Sequence, residues 1–174
     1  NEIDVILPIK IKNALKYYEQ HKILRNINKT NQQELEMAAA LQTSLMAEYK
    51  MLKSVQMYGK YMPSIEVGGD LYDCIEYGDS TWFFIADVAG HGVAAAMVSS
   101  ILKGIFSDAV TMYQTSNEVL EHINKQLCSI VGNQSTVLVT GCVGKINNRV
   151  LHYSNAGHPY PLLVDTSKKY LEFI

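Results

Sequence analysis

Two acidic segments bordered by glycine are the part of this sequence best suited to chemistry. Residues 67–73 read VGGDLYD, and residues 85–92 read IADVAGHG. Asp87 closes an apolar run, 82–86, of the length and composition of a buried strand. A carboxylate placed there needs a metal, a cation or backbone N–H groups as its partner, because burying it unpaired is strongly unfavourable. The spacing therefore predicts a divalent-metal site that includes Asp70 and Asp87.

The glycines around these acids favour a ligand site. Glycine at positions 68, 69, 90 and 92 removes side-chain bulk on both sides of the acids. The backbone can then approach a ligand closely and adopt positive φ without strain. The alternative is that both acids cap N–H groups in ordinary strand-end turns. The residue types alone leave both interpretations open.

The elements that must position these acids follow from the pattern of apolar residues. Strands are predicted at 67–77 and 81–88, joined by a turn at 78–80, so that one hairpin carries both acidic segments. Helices are predicted at 93–112 and 117–131, with Ser116 as the N-cap of the second. Strands follow at 136–146, 150–154, 161–164 and 170–174. This order predicts an α+β fold rather than alternating α/β.

The N-terminal third has a different composition. Between residues 13 and 58 there is no proline or glycine, which predicts a long helix with an apolar seam at Leu35, Ala38, Leu45, Tyr49 and Leu52. That helix either dimerises or docks on its own domain. Upstream, residues 4–9 are predicted to be extended, with an amphipathic helix after Pro8. The division is therefore 1–20, a helical linker at 21–57, and a main domain at 58–174.

Composition excludes several function classes. A formal net charge of −2 with scattered lysines gives no reason to expect a nucleic-acid partner. No apolar run is expected to span a membrane, and the N-terminus lacks the pattern of a signal peptide, so we expect a cytoplasmic protein. Three cysteines without Cys-x-x-Cys spacing predict neither a disulfide framework nor a zinc ribbon. Arg25 and Arg149 are the only arginines, so an arginine clamp on phosphate is not expected.

Four motifs in order resemble a known family. Gly-Gly-Asp-x-Tyr-Asp, Asp-Val-x-Gly-His-Gly, the segment 40–45 (ALQTSL) and the segment 153–159 (YSNAGHP) are similar to those of metal-dependent serine/threonine protein phosphatases of the SpoIIE-like branch. The resemblance covers residues 34–174. It implies two packed antiparallel β-sheets flanked by helices, preceded by a long linker helix. Residues 1–20 also resemble the end of a response-regulator receiver domain, although Leu7 stands where such domains carry lysine.

The resemblance implies a site with two Mn²⁺ or Mg²⁺ ions. Asp87 would bridge the metals, Val88 would offer its backbone carbonyl, and Asp70 would join directly or through water. Hard cations prefer such oxygen ligands. Asp73 carries less weight as a ligand, since a residue three positions further along a regular strand points to the opposite face.

Further residues receive roles near the phosphate. His91 would protonate the leaving oxygen, and Gly90 and Gly92 would lie close to the phosphate, before a helix N-terminus. Asn155 and His158 are expected to shape a turn.

The implied function is hydrolysis of phosphoserine or phosphothreonine on a bacterial signalling protein, such as an anti-sigma-factor antagonist, by a homodimer joined through the linker helix. The later acidic motifs of the family are missing, because only Asp165 and Glu172 follow the turn at His158. We therefore expect a C-terminally incomplete domain or an incomplete metal site, with weak activity of these 174 residues alone. The alternative is a catalytically impaired adaptor that binds a regulatory partner protein.

Overall fold

The computed structural model describes residues 2–53, 55–132 and 137–174. The chain divides into two compact units, Asn1–Ala40 and Leu41–Ile174. The second unit contains both acidic segments and the segment 153–159.

A single helix, α1 (Glu2–Ser44), forms the first unit and continues into the second. The prediction that residues 4–9 are extended is wrong, because the helix runs through Pro8. Helix-forming residues on both sides extend it there, although proline removes one backbone hydrogen bond. Many apolar side chains of the first unit are exposed: Ile6, Leu7, Ile9, Ile11, Leu15, Tyr17, Tyr18, Ile23, Leu24, Ile27 and Met37.

The predicted helix over 45–57 is wrong in the described part of that segment. Helix α1 ends at Ser44, and β1 (Tyr49–Met51) pairs antiparallel with β2 (Gln56–Tyr58). Leu45, Tyr49 and Leu52 therefore do not continue a helical seam. The absence of proline and glycine did not reveal this end, since tertiary contacts override weak helix propensity. Met46, just after the helix, is buried in the core of the second unit.

A four-stranded antiparallel sheet forms the centre of the second unit. Its strands are β3 (Leu71–Tyr77), β4 (Ser80–Val88), β5 (Val139–Asn147) and β6 (Val150–Ala156), paired in chain order. Two helices lie between β4 and β5, namely α2 (Val93–Met112) and α3 (Ser116–Val131). A separate hairpin, β7 (Leu162–Asp165) with β8 (Tyr170–Phe173), follows. The α+β class with antiparallel sheets is confirmed; the predicted strand start at residue 136 lies outside the described residues.

The hydrophobic core lies between the sheet and the two helices. Helix α2 packs against β3 and β4, and α3 packs against β5 and β6. Leu102 and Phe106 of α2 are completely buried, and the rings of Phe106 and Phe84 are 5.2 Å apart between centroids. Helix α2 is long and apolar enough to cross a membrane by length and composition, contrary to our expectation, but it contributes several of its side chains to this core.

Helix α3 begins one residue earlier than predicted. Thr115, not Ser116, is the N-cap, and its side chain accepts a hydrogen bond from the backbone N–H of Glu118. Glu118 in turn accepts from the Thr115 backbone N–H at 3.0 Å. This reciprocal capping box satisfies two backbone donors, which explains why the helix begins one residue earlier.

The other face of the sheet carries two aromatic rings seated on glycines. A Cβ atom at Gly59 would lie 2.3 Å from the Tyr72 ring, and one at Gly144 would lie 2.0 Å from the Phe83 ring. Any side chain at either glycine would displace the ring, so each glycine is needed for the packing of its aromatic partner.

Candidate functional site

The two acids of the predicted metal site lie on neighbouring strands. In the antiparallel register Leu71 faces Ala86, so Asp70 and Asp87 lie next to each other at one end of β3 and β4. Partial burial raises the pKa of Asp70, and the charge of Asp87 raises it further, whereas His158 lowers it. Two carboxylates that repel each other at a strand end form a favourable place for a cation.

The carbonyl oxygen of Val88 lies against Gly69. A Cβ atom at position 69 would be 2.4 Å from this oxygen and 3.0 Å from the Val88 Cβ. Because such a contact is too short for any side chain, glycine is required for the two strand ends to approach each other. Gly69 thus sets the position of the Val88 carbonyl, the third oxygen that the resemblance assigned to the metal.

Gln42 was missed by the sequence analysis as a residue of this region. Its side chain donates to the Gly68 carbonyl at 2.7 Å and to Ser99 Oγ at 3.1 Å. Its Oε1 accepts from the Gly68 N–H at 3.1 Å and from the Tyr61 hydroxyl at 2.9 Å. The buried amide therefore uses all its hydrogen-bonding capacity to hold the segment before Asp70. Its sequence signal was a polar residue within an apolar helical seam.

Asp73, the acid that was expected to carry less weight as a metal ligand, is paired with two lysines. This residue is only 5% exposed and forms salt bridges with Lys50, at 2.7 Å, and with Lys103 of α2. It lies on the face of the sheet towards α2, as the strand period predicted. Burial acts to raise the pKa of Asp73, but hydrogen bonds from Lys103 and Lys50 outweigh it and hold the pKa below its usual value. The negative charge of Asp73 is therefore balanced by these two lysines.

The loop between Asp87 and α2 contains the residues predicted to lie near the phosphate. Gly90 and Gly92 have φ angles of 105° and 78°, a region that glycine adopts without strain. Gly92 is the N-cap of α2 and offers no side chain to the first N–H groups of the helix. His91 is exposed in this loop. The proton-donor role of His91 stays a prediction.

The Asn-Ala-Gly-His-Pro turn lies at the same end of the sheet. Asn155 donates to the His158 carbonyl at 2.9 Å and accepts from the His158 N–H at 2.8 Å, so it shapes the turn as expected. The imidazole of His158 has a separate contact, with 3.0 Å between Nδ1 and Thr140 Oγ1. Thr140 of β5 faces Asp87 directly across the strand pair.

The oxygen atoms at this site are of the type that a hard divalent cation binds. Asp70, Asp87 and the Val88 carbonyl all offer oxygen, which Mg²⁺ and Mn²⁺ prefer. Within the described residues, no group of three or more His, Cys, Asp or Glu side chains is arranged to hold a metal ion. Three oxygens fall short of one octahedral shell, so the set is partial.

Comparison with known proteins identifies the family. The family described as Stage II sporulation protein E (SpoIIE) matches residues 77–173, more than half of the chain. The chain belongs to this family. The match includes Asp87, Val88 and His158 but begins after Asp70.

Two curated relatives come from Bacillus subtilis (strain 168). Phosphoserine phosphatase RsbP is 30% identical over 139 residues, covering 77% of this chain and 34% of the relative. Phosphoserine phosphatase RsbU is 23% identical over 159 residues, covering 91% of this chain and 47% of the relative. The chain thus spans less than half the length of either. By this resemblance it is a serine/threonine phosphatase-type domain.

Two solved structures have similar folds. The RsbU and RsbW domains of Rv1364c from Mycobacterium tuberculosis match with a TM-score of 0.55 and 32% identity, over 64% of this chain and 31% of that one. The SiaA-PP2C domain of Pseudomonas aeruginosa matches with a TM-score of 0.58 and 17% identity, over 74% of this chain and 54% of that one. The second likeness shows the fold alone. Both structures confirm the phosphatase-like fold class, and the SpoIIE family match confirms the predicted branch.

Replacing Asp73 by alanine is expected to destabilise the protein at pH 7 by about 3 kcal/mol, because two partly buried lysines lose their partner. Since the pKa of Asp73 is lowered in the fold, its contribution is present above the unfolded pKa and disappears as the pH falls through the folded pKa. Urea unfolding should therefore separate wild type from variant at neutral pH and bring them together in strong acid. Asp108→Ala, at an exposed position of α2, is the control and should change stability little. A loss independent of pH would contradict this account.

Replacing Gly69 by alanine is expected to weaken Mn²⁺ binding about 10- to 100-fold, because the new Cβ displaces the Val88 carbonyl. Calorimetric titration with Mn²⁺ measures the change. Gly104→Ala is the matched control, since a Cβ at this position of α2 would meet no atom within 4 Å. That control should keep the Mn²⁺ affinity and gain about 1 kcal/mol of stability from helix propensity. Unchanged Mn²⁺ affinity in Gly69→Ala would rule out the carbonyl as a ligand.

Proposed function

We propose that the chain is the metal-binding part of a protein phosphatase that hydrolyses phosphoserine or phosphothreonine on a signalling protein. The observation that carries this proposal is the juxtaposition of Asp70, Asp87 and the Val88 carbonyl at one end of the sheet. The names of RsbP and RsbU as phosphoserine phosphatases support the substrate class. A phosphorylated anti-sigma-factor antagonist in the cytoplasm is the kind of substrate that the resemblance implies.

Asp70, Asp87 and the Val88 carbonyl would hold Mg²⁺ or Mn²⁺. Bound there, a pair of such cations supplies an activated water and neutralises charge on the phosphoryl oxygens. The two carboxylates would hold the ions at the strand ends, and Gly69 allows the close approach of the backbone to the Val88 carbonyl. His91, which is exposed in the loop before α2, would protonate the leaving oxygen, as the resemblance implies.

A second candidate function is a phosphatase-fold adaptor that binds a partner protein without catalysis. The observation that favours it is the partial ligand set, since the described residues contain no cluster of three metal-ligating side chains. Turnover separates the two functions. Mn²⁺-dependent hydrolysis of a phosphoserine peptide supports the phosphatase, and Mn²⁺ binding without hydrolysis supports the adaptor.

The Asp87→Asn variant is expected to lose most Mn²⁺ binding and, with it, the weak Mn²⁺-dependent hydrolysis of a phosphoserine peptide expected of the wild type. Its metal-free fold should be retained or slightly stabilised, because repulsion with Asp70 is relieved. Peptide hydrolysis, calorimetric Mn²⁺ titration and thermal unfolding measure the three effects. Asp79→Asn, in the exposed β3–β4 turn, is the control. Full Mn²⁺ binding by Asp87→Asn would refute the proposed role of Asp87.

We also propose that the protein is a homodimer joined through α1. Leu24 and Ile27 are about half exposed and lie on one side of the helix with other apolar residues. Burying such surface in a partner helix contributes roughly 25 cal/mol per Å². The seam is revised from the sequence prediction, since Leu45, Tyr49 and Leu52 lie outside the helix.

Light scattering at micromolar concentration should give a dimer for the wild type and a monomer for the Leu24→Glu, Ile27→Glu double variant. The control is Asn26→Glu, Lys29→Glu, which adds the same side chains on the opposite side of the helix. A monomeric wild type, or a control that dissociates equally, would speak against this interface.

A further inference from the structure

The side chain of His158 is not required for the turn in which it lies. The turn is held by Asn155, whose amide bonds both the N–H and the carbonyl of the His158 backbone. Gly157 supplies the positive φ of 71° that the turn needs. Any residue with a backbone N–H could form these two backbone hydrogen bonds with Asn155 at position 158. The imidazole therefore needs a separate explanation.

The imidazole is directed to the end of the sheet that carries the acids. Its Nδ1 lies 3.0 Å from Thr140 Oγ1, and Thr140 is the residue that faces Asp87 across β4 and β5. His158 also interacts electrostatically with Asp70. Among the residues that the structure describes, none forms a hydrogen bond with Nε2 of His158. One ring nitrogen is thus fixed and the other is available to a ligand.

A phosphorylated substrate brings negative charge to a site that already holds two carboxylates, so it needs nitrogen donors besides any metal. Several lysines of the second unit are engaged elsewhere. Lys50 and Lys103 hold Asp73, and Lys145 donates to the Gln114 carbonyl at 2.7 Å and lies 4.9 Å from the centroid of the Trp82 ring. His158 can therefore supply a nitrogen donor at the acidic end of the sheet, whereas these lysines make their contacts elsewhere.

We propose that His158 binds the phosphoryl group of the substrate through its Nε2–H, with Thr140 and Asn155 as positioning residues. In this assignment the Thr140 hydroxyl is the donor to Nδ1, so that Nε2 carries the hydrogen that is offered to the phosphoryl group. This assignment rests on the proposed phosphatase function. It adds to that function a side-chain contact with the phosphate that does not pass through the metal.

The test compares two variants of His158, each with an amide side chain whose nitrogen lies near the position of one of the two ring nitrogens. His158→Gln places an amide nitrogen near the position of Nε2, and His158→Asn places one near that of Nδ1. Inorganic phosphate is titrated into the Mg²⁺-saturated protein by calorimetry, and KM is measured for a phosphoserine peptide. We expect His158→Asn to weaken phosphate binding about tenfold and His158→Gln to stay within about threefold of the wild type.

The control is His152→Asn, at an exposed position of β6, which should bind phosphate as the wild type does. Equal phosphate affinity in wild type and His158→Asn would overturn the assignment, as would equal losses in both amide variants. A matching loss of Mg²⁺ affinity in His158→Asn would also overturn it, because His158 would then act on the metal. Thermal unfolding verifies that each variant is folded.

Phosphate binding does not depend on turnover, so the two proposals fail separately. A wild-type protein that binds phosphate but hydrolyses no phosphoserine peptide contradicts the proposed phosphatase activity, and the amide series still decides the role of His158. A wild-type protein that binds no phosphate in saturating Mg²⁺ overturns the assignment of His158 itself.

Discussion

The antiparallel pairing of β3 with β4 is the constraint on which the site depends. This register places Leu71 opposite Ala86 and so brings Asp70 beside Asp87. A shift by one residue would turn every side chain of a strand to the other face and separate the acids. The pairing of β4 with β5 extends the same end of the sheet, since it sets Thr140 opposite Asp87. The two acids and the strand that contacts the histidine turn are thus aligned by backbone hydrogen bonds.

The parts of this arrangement that local pattern encodes could be predicted from the sequence. The hairpin follows from the apolar run at 82–86 and the turn at 78–80, and α2 was predicted with the bounds that the structure has. The end of α1 could not be predicted, because β1 forms by pairing with β2 rather than by local preference. The partners of Asp73 could not be predicted for a similar reason: Lys50 and Lys103 are distant from it in sequence, and only the fold brings them to it.

Gln42 shows how a polar residue can be as constrained as a core side chain. It lies near the end of α1 and bonds both backbone groups of Gly68, two residues before Asp70. A buried amide with all four hydrogen bonds formed has one orientation, and losing a partner would leave a buried polar group unsatisfied. The position of the first acid therefore depends on the last turn of the helix as well as on the sheet.

The aromatic rings seated on glycines give the far face of the sheet a particular property. Phe83 occupies the volume that a side chain at Gly144 would fill, and Tyr72 does the same above Gly59. Each ring and its glycine behave as one packing unit shared between two segments of the chain. Evolution can therefore move volume from one segment to the other only by exchanging both residues together, so substitutions at the two positions of such a pair should occur jointly.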